Sequence, residues 1–324
     1  MSVLVTGAAG FIGFHVAQAL LRRGERVYAF DNVNDYYPVA LKRARLAELQ
    51  KHAGFALHEI DVADRTAVAD ALKQHPDTTG IVHLAAQAGV RHSLIDPYVY
   101  VQTNMMGQVV LLEAARRLSK LRNFVYASSS SVYGGNKKQP FAVEDRVDNP
   151  VSLYAATKRS AELAAECYSH LFGIRAVGLR FFTVYGPWGR PDMAAYLFAD
   201  AILAGRPIKV FNHGEMKRDF TYIDDIVAGT IAALDLGRDA APSHRVYNLG
   251  NHRPEPLLKF IALLEQALGR DAKKEMLPMQ PGDVPESFAE IAASRRDLGF
   301  EPKTPIELGI PRFIHWYKSY IGIA

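Results

Sequence analysis

A tyrosine and a lysine four residues apart are the side chains of this sequence best suited to acid–base chemistry. Tyr154 and Lys158 occupy positions i and i+4, which share one face of a helix. An ammonium group close to a phenol favours the phenolate and lowers a pKa that is ~10 when unperturbed. Tyr154 is therefore a candidate general base near neutral pH, and Ser129 would hydrogen-bond the same substrate oxygen. The alternative for such a pair, taken alone, is ordinary packing of a helix.

Three glycines near the N-terminus predict a phosphate-binding loop. Gly7, Gly10 and Gly13 follow a strand pattern directly and open a helical one. Gly7 permits a tight turn, Gly10 lets backbone N–H groups approach a pyrophosphate, and Gly13 lets the helix pack closely on the strand. The diphosphate would lie at the positive end of the helix, beside Phe11 and Ile12. A simple glycine-rich turn is the alternative.

An aspartate at the end of the second predicted strand indicates which dinucleotide would bind. The Asp31 carboxylate can accept hydrogen bonds from the ribose hydroxyls, with Asn32 beside it, and it would repel a 2′-phosphate. NAD is therefore favoured over NADP. Asp61 and Val62 follow the third strand, where an Asp can reach the adenine amino group or simply cap a helix. Small residues after the fourth strand would let the dinucleotide lie flat against the sheet: Leu84, Ala85 and Ala86.

The elements that must position these residues alternate between short β-branched runs and longer amphipathic ones. Strands are predicted over 3–6, 26–30, 56–60, 81–84, 123–127 and 176–180, and helices between them, including 12–23, 66–75, 99–118 and 152–172. This succession predicts an α/β fold, a Rossmann-type doubly wound parallel sheet. After Pro187 the pattern loosens into a smaller α+β substrate-binding lobe. The predicted domains are a Rossmann domain over 1–186, to which 220–250 returns, and a lobe formed mainly by 187–324.

Composition excludes several classes of protein. The 324 residues are 49% hydrophobic and 22% charged, unlike a disordered chain. Basic residues exceed acidic ones by only four and are scattered, so nucleic-acid binding is not expected. No apolar run approaches the ~20 residues that span a bilayer, and no metal-ligand spacing is present. A single cysteine, Cys167, excludes an internal disulfide and favours a reducing, cytoplasmic location.

Longer motifs give the sequence a resemblance to a known family. TGAAGFIG, HLAA, SSSSVYG, YAATK, RFFTVYGP and RDFTYIDD together resemble the extended short-chain dehydrogenases/reductases of the nucleotide-sugar epimerase/dehydratase branch. DNVNDYYPVALKRARL, AAQAGVRHSL and FTVYGPWGRPDMA resemble the UDP-glucuronate 4-epimerases within it. The resemblance implies Ser129, Tyr154 and Lys158 as catalytic residues, and NAD as a held cofactor that is regenerated each turnover. The chemistry it implies is transient oxidation at C4, rotation of a 4-keto sugar and reduction on its opposite face.

The serine run separates the subclasses of this branch. Dehydratases of the branch would need an Asp-Glu pair there, and decarboxylases of UDP-glucuronate have a Glu just before VYG. Ser130 and Ser131 occupy those places, and neither can act as a carboxyl acid or base at pH 7. Epimerisation therefore remains.

Substrate contacts are expected on both sides of the catalytic residues. Thr183, with Ser130 and Ser131, could receive a uronate carboxylate by charge-assisted hydrogen bonds, although Thr183 could also be neutral variation in a glucose-type epimerase. The remaining candidates are two arginines for the diphosphate (Arg190, Arg218), an aromatic ring for uracil or core packing (Phe211), an acid that meets the nucleotide ribose in relatives (Asp283), and Arg91, which would face either the cofactor phosphates or the substrate.

Three alternatives to a uronate epimerase stay open from the sequence. They are a 4-epimerase of UDP-glucose or UDP-N-acetylglucosamine, an inactive NAD-binding sensor, and a net-redox dehydrogenase. The resemblance also implies a homodimer, formed through the helices at 99–118 and 152–172. The cations Lys42, Arg43 and Arg45 either form a solvated helix face or include one contact to a phosphate.

Overall fold

The computed structural model describes residues 1–236, 243–279 and 284–323. Its strands are β1 Ser2–Thr6, β2 Arg26–Phe30, β3 Phe55–His58, β4 Gly80–His83, β5 Asn123–Ser129, β6 Ala176–Phe181, β7 Thr183–Tyr185, β8 Ile208–Val210, β9 Lys217–Tyr222, β10 His244–Leu249, β11 Pro254–Pro256, β12 Lys274–Met276 and β13 Glu286–Ser287. Its α-helices are α1 Phe11–Arg22, α2 Val39–Gln50, α3 Arg65–Lys73, α4 Pro97–Tyr100, α5 Gly107–Ala115, α6 Leu153–Phe172, α7 Ala194–Leu203, α8 Ile223–Asp235, α9 Leu257–Leu268, α10 Ala292–Leu298 and α11 Ile306–Tyr320. A π-helical segment, Val101–Met106, joins α4 to α5.

Seven parallel strands form the main sheet, in the order β10-β6-β5-β4-β1-β2-β3. The central strands are apolar almost throughout and buried, as expected for a sheet covered on both faces. Separate hydrophobic clusters lie on its two sides, with α1 and α8 in one and α3, α5 and α6 contributing to the other. The predicted α/β Rossmann-type fold is confirmed.

The second lobe is built on a small sheet centred on β9, which pairs with β7, β11 and β13. Helices α9 and α11 pack against each other and, with α7, cover this lobe. The chain then returns to the main sheet: α8 packs on α1, and β10 forms the edge strand beside β6. The boundary proposed at residue 186 stays a prediction.

Parallel strands bring their carboxyl ends to one edge, where the two lobes meet. In the register of β5 and β6, Ser129 pairs with Phe181, so the serine run and the segment beginning at Thr183 leave the sheet side by side. Both the glycine loop after β1 and the segment after β4 leave from this same edge. Ligands of open parallel sheets bind at this edge. None of the helices in the described part of the chain is long and apolar enough to cross a membrane.

Candidate active site and cofactor cleft

The glycine loop is fixed by close approaches that leave no room for side chains. Gly7 has a φ of +75°, and a Cβ on it would lie 2.7 Å from the Ala85 nitrogen. A Cβ on Gly13 would lie 2.1 Å from the Gly7 carbonyl oxygen, so α1 can pack this tightly only with glycine. Helix α1 begins after Gly10 without a side-chain cap. Its first N–H groups, including those of Phe11 and Ile12, therefore form the kind of anion-binding end that suits a dinucleotide diphosphate.

Asp31 is held at the end of β2 by two backbone donors. Its carboxylate accepts hydrogen bonds from Ala9 N at 2.9 Å and Val33 N at 2.8 Å. Burial raises the pKa of Asp31, while these bonds and the charges of Lys42 and Arg45 act in the opposite direction. Each carboxylate oxygen keeps a further lone pair, as a contact to ribose hydroxyls requires. The site therefore fits NAD.

Asn32 and Asp61 lie next to each other across the ends of β2 and β3. Asn32 Nδ2 donates to Asp61 Oδ2 at 2.9 Å, and Ala63 N donates to Asp61 Oδ1 at 2.8 Å. The cap of α3 is Asp64, whose side chain accepts from Thr66 N and Ala67 N. The alternative interpretation of Asp61 as a helix cap is thus wrong, and its contact with adenine stays a prediction.

The segment after β4 is anchored to the glycine-loop strand. Ala85 N donates to Thr6 Oγ1 at 3.0 Å, and that hydroxyl lies 2.7 Å from His83 Nδ1. Leu84 and Ala86 flank Ala85 and are half-buried. Nearby Val62 is buried where a Cβ on Gly107 would touch it. Leu84, Ala85, Ala86 and Val62 thus present small or apolar side chains after β3 and β4, which suits a flat ring system.

The three predicted catalytic residues come together at the carboxyl end of β5. Ser152 caps α6 by accepting from Ala155 N, which fixes where the helix begins. Tyr154, in its first turn, is half-buried, and the Ser129 side chain acts on its hydroxyl to lower the pKa. One turn later Lys158 is buried, and its Nζ donates to the Ala127 carbonyl at 2.9 Å, 6.0 Å from the centre of the Tyr154 ring. The hydroxyl of Ser129, the phenol of Tyr154 and the amine of Lys158 therefore lie close together in the cleft.

The pKa of Tyr154 differs from the sequence prediction. Burial raises the pKa of Tyr154, whereas the Ser129 hydrogen bond and the charge of Arg190 lower it. Burial also lowers the pKa of Lys158 to about 8. The lowered phenol pKa expected from Lys158 was wrong for the polypeptide alone, because desolvation of the phenol outweighs the cations around it.

The residues predicted to bind the substrate carboxylate lie at the same carboxyl edge of the main sheet. Ser130 and Ser131 begin a 3₁₀ turn after β5, and Ser131 N donates to Ser129 Oγ at 3.2 Å. Thr183 is half-buried and lines one pocket together with Arg190. Arg190 lies near the catalytic phenol, since its charge acts on Tyr154, and it pairs with Asp192.

The predicted nucleotide contacts come from both lobes. Arg91, from the Rossmann side, places its guanidinium 5.2 Å from the centre of the Phe211 ring, from the second lobe. Arg218, on β9, donates to the carbonyls of Lys217 and Pro285. Asp283 lies outside the described residues. Within residues 1–236, 243–279 and 284–323, no three His, Cys, Asp or Glu side chains cluster as metal ligands would.

Two buried polar residues that support the site were not predicted from the sequence. Asn104, in the π-helical segment, donates to Gln87 O and Thr157 Oγ1 and so ties the segment after β4 to α6. Glu162, one turn beyond Lys158, accepts from Ser128 Oγ and from two nitrogens of Arg180. The one available signal for Glu162 was its i+4 spacing from Lys158, which places both side chains on the same face of the helix.

Comparisons with known proteins agree with this site. The chain is 47% identical over 333 residues to UDP-glucuronate 4-epimerase 4 of Arabidopsis thaliana, covering 99% of this chain and 76% of that protein. It is 45% identical over 334 residues to a probable UDP-glucuronate 4-epimerase of Rhizobium meliloti, covering 98% and 97% of the two chains. The crystal structure of UDP-glucuronic acid 4-epimerase from Bacillus cereus in complex with UDP-glucuronic acid and NAD is 36% identical with a TM-score of 0.91, covering 99% of this chain and 100% of that one.

The family assignment rests on most of the chain. The profile described as the NAD dependent epimerase/dehydratase family matches residues 3–250, which include the glycine loop, Asp31 and the Tyr154–Lys158 pair. The cofactor preference inferred from Asp31 agrees with the family's use of NAD. The chain belongs to the NAD-dependent epimerase/dehydratase family.

Proposed function

We propose that the protein is a 4-epimerase that interconverts UDP-glucuronate and UDP-galacturonate. The observation that carries the proposal is the set of neutral hydroxyls, Ser130, Ser131 and Thr183, at the edge where Ser129 and Tyr154 meet. The relatives named for the same activity, at 45–47% identity over nearly the whole chain, support it.

The polypeptide supplies the acid–base groups of the reaction. Bound NAD, held by the glycine loop and Asp31, would supply the hydride acceptor and donor for C4. Tyr154 removes the O4 proton when C4 is oxidised and returns it after the 4-keto sugar has rotated. Ser129 holds O4 by a hydrogen bond, and Lys158 keeps a positive charge on the same face of α6.

The direct test is to incubate the NAD-loaded protein with UDP-glucuronate and separate the sugar nucleotides by chromatography. UDP-galacturonate should form without net accumulation of NADH. Conversion of UDP-glucose or UDP-N-acetylglucosamine with no conversion of the uronate would favour the neutral-sugar alternatives. Stoichiometric NADH would instead identify a net-redox dehydrogenase.

Thr183→Val should weaken uronate binding and release a pentose product. A 4-keto uronate is a β-keto acid, and it loses CO₂ when the C5–C6 bond aligns with the carbonyl π system. Hydroxyl donors hold the carboxylate away from that alignment without supplying an acid. A hydrogen bond to a charged group contributes ~1.5–3 kcal/mol, so the Michaelis constant for UDP-glucuronate should rise about tenfold or more. Product analysis should detect a UDP-4-keto-pentose.

The matched control is Thr79→Val, which makes the same change at the opposite edge of the sheet, where Thr79 Oγ1 donates to Ser2 O. A neutral UDP-hexose, if it is turned over, should respond little to Thr183→Val. Unchanged uronate binding without any pentose would place the carboxylate elsewhere and weaken the case for a uronate.

We also propose a homodimer formed by α4, α5 and α6. Helix α6 packs against α4 and α5. These helices and the π-helical segment between α4 and α5 expose several large apolar side chains: Tyr98 (82% exposed), Val101, Met106, Val109, Leu163, Leu171 and Phe172. Exposed large apolar side chains on adjoining elements are typical of an interaction surface. The proposed cytoplasmic location and a role in polysaccharide synthesis rest on the single cysteine and on the product's chemistry, respectively.

Leu163→Glu should convert the dimer into a monomer, because it places a charge in the centre of the proposed helix face. Sedimentation velocity of the NAD-loaded protein measures this. The control is Leu308→Glu on α11, where the leucine is 54% exposed compared with 55% for Leu163. A dimer that survives Leu163→Glu but not Leu308→Glu would move the interface to the second lobe.

A further inference from the structure

Arg45 is fully enclosed between the two lobes. The sequence left two interpretations open, in which Arg45 either belongs to a solvated helix face or contacts a phosphate. The structure shows neither for Arg45. Its Nη1 donates to the Ala9 carbonyl of the glycine loop at 2.8 Å and to the Tyr37 hydroxyl at 2.8 Å. Its Nη2 donates to the carbonyls of Trp188, at 2.7 Å, and Gly189, at 3.2 Å. One side chain thus joins the cofactor loop to the chain just before Arg190.

A second contact, from Tyr36 of the same segment, holds the chain just after Arg190. The Tyr36 hydroxyl donates to Asp192 Oδ2 at 3.1 Å. Arg190 Nε donates to Asp192 Oδ1 at 3.0 Å, and Arg190 Nη2 donates to Oδ2 at 2.5 Å. Asp192 therefore sets the direction of the Arg190 guanidinium, and Tyr36 sets the position of Asp192.

Arg190 is the cation that acts on the catalytic phenol from outside helix α6. Its positive charge lowers the pKa of Tyr154, and the Asp192 carboxylate raises it. The other groups around the phenol are Ser129 on β5, Lys158 on α6, Tyr36 after β2 and Tyr100, whose ring stands edge-on at 6.1 Å. The Tyr100 hydroxyl donates to the carbonyls of Ala88 and Gly89, and the His92 ring lies tilted against the rings of both Tyr36 and Tyr100.

We propose that residues 36–45 are a positioning element for the general base: Arg45 and Tyr36 hold the loop 188–192 so that Arg190 stays close to Tyr154 and favours its phenolate. The proposal rests on the proposed function in one respect, the role of Tyr154 as the base. It accounts for the tyrosine pair and for Arg45 of the DYYPVALKRARL segment, to which the reaction itself gives no part.

The test is a direct titration of Tyr154 in the NAD-loaded protein by ultraviolet difference spectroscopy. Each variant is measured against the same variant carrying Tyr154→Phe, so that the difference reports this phenol. Arg45→Gln releases the loop and should move the titration to higher pH by about one unit, since a nearby opposite charge shifts a pKa by that order. Tyr36→Phe, a smaller change that should preserve folding, should move it in the same direction by less.

Asp192→Asn should shift the Tyr154 titration in the opposite direction. The amide can still accept a hydrogen bond from Arg190 but no longer neutralises it, so the Tyr154 titration should move to lower pH. The acid limb of kcat/KM for UDP-glucuronate should follow each shift, because it reports groups of the free enzyme. If the segment had a purely structural role, the Tyr154 titration would move in the same direction in Arg45→Gln, Tyr36→Phe and Asp192→Asn, or would not move in any of them. Either result overturns the proposal.

The control is Arg43→Gln, on the same helix, whose guanidinium pairs with Glu59 at the surface and is 51% exposed. Its titration and kinetics should match the wild type, and a shift as large as that of Arg45→Gln would contradict the assignment. If the wild type does not convert UDP-glucuronate, the proposed function fails, but the titration still decides whether residues 36–45 control the ionisation of Tyr154.

Discussion

Tyr154→Phe should abolish epimerisation while the protein still retains NAD. The ring packs edge-on against Tyr100, and phenylalanine keeps that contact, so only the ionisable oxygen is lost. A positioned general acid or base contributes ~10²–10⁴ in rate. Turnover of UDP-glucuronate should fall by about that factor, and the absorbance of NADH should no longer rise in a single turnover, because the O4 proton has no acceptor.

The matched control is Tyr168→Phe on the same helix, which removes a hydroxyl that donates to Glu113 at 2.7 Å. It should leave the rate close to that of the wild type. Near-normal epimerisation by Tyr154→Phe would show that another group is the base. Loss of bound NAD from the variant would show that the effect is not confined to the proton transfer.

Glu162→Gln should destabilise the protein more than any other single change considered for α6. The Glu162 side chain is 0% exposed and Arg180 is 3% exposed, and they are joined by two hydrogen bonds of 2.8 and 2.9 Å. Burial raises the pKa of Glu162, but the hydrogen bonds and charge of Arg180 outweigh it and hold the pKa below its ordinary value. Removing one partner of a buried pair leaves an uncompensated charge, which costs ~3–5 kcal/mol.

Thermal and urea unfolding of the NAD-loaded protein measure this loss. Glu166→Gln, one turn later on the same helix, makes the same change at a side chain that is 64% exposed, and it should cost less than ~1 kcal/mol. Because the pKa of Glu162 is lowered on folding, its contribution is present above the unfolded pKa and is lost as the pH falls through the folded one. Equal stability of the two variants would mean that Arg180 finds another partner.

The fold was predictable because its signals are local. Apolar β-branched runs, turn glycines and the Tyr-x-x-x-Lys spacing each act within a few residues, and β1, β2 and α6 lie within a residue of their predicted positions. Strand β3 ends at His58, two residues earlier than predicted, where the main-chain pairing with β2 stops at Phe30. Pairing with a neighbour sets that limit, and it cannot be read from the strand itself.

The parts of the site that escaped prediction depend on distant partners. A charged residue on a helix is ordinarily solvated, and Arg45 differs only because carbonyls from residues 188 and 189 meet it. Glu162 on α6 can be buried because Arg180, on β6, neutralises it. The pKa of Tyr154 is set by desolvation together with Ser129, Arg190 and Asp192, and the last two come from a segment more than thirty residues away in the sequence.

The return of the chain to the main sheet affects how the protein folds during synthesis. Helix α8 covers the sheet beside α1, and the Asn123 side chain at the start of β5 donates to the carbonyls of Leu234 and Leu236 at the end of that helix. When the ribosome has released only the first six strands, the part of that apolar face next to α1 has no cover, and β6 has an open edge. The nascent Rossmann half must therefore wait for residues 223–249 before it is complete, and meanwhile it presents the kind of surface that chaperones bind and that aggregates.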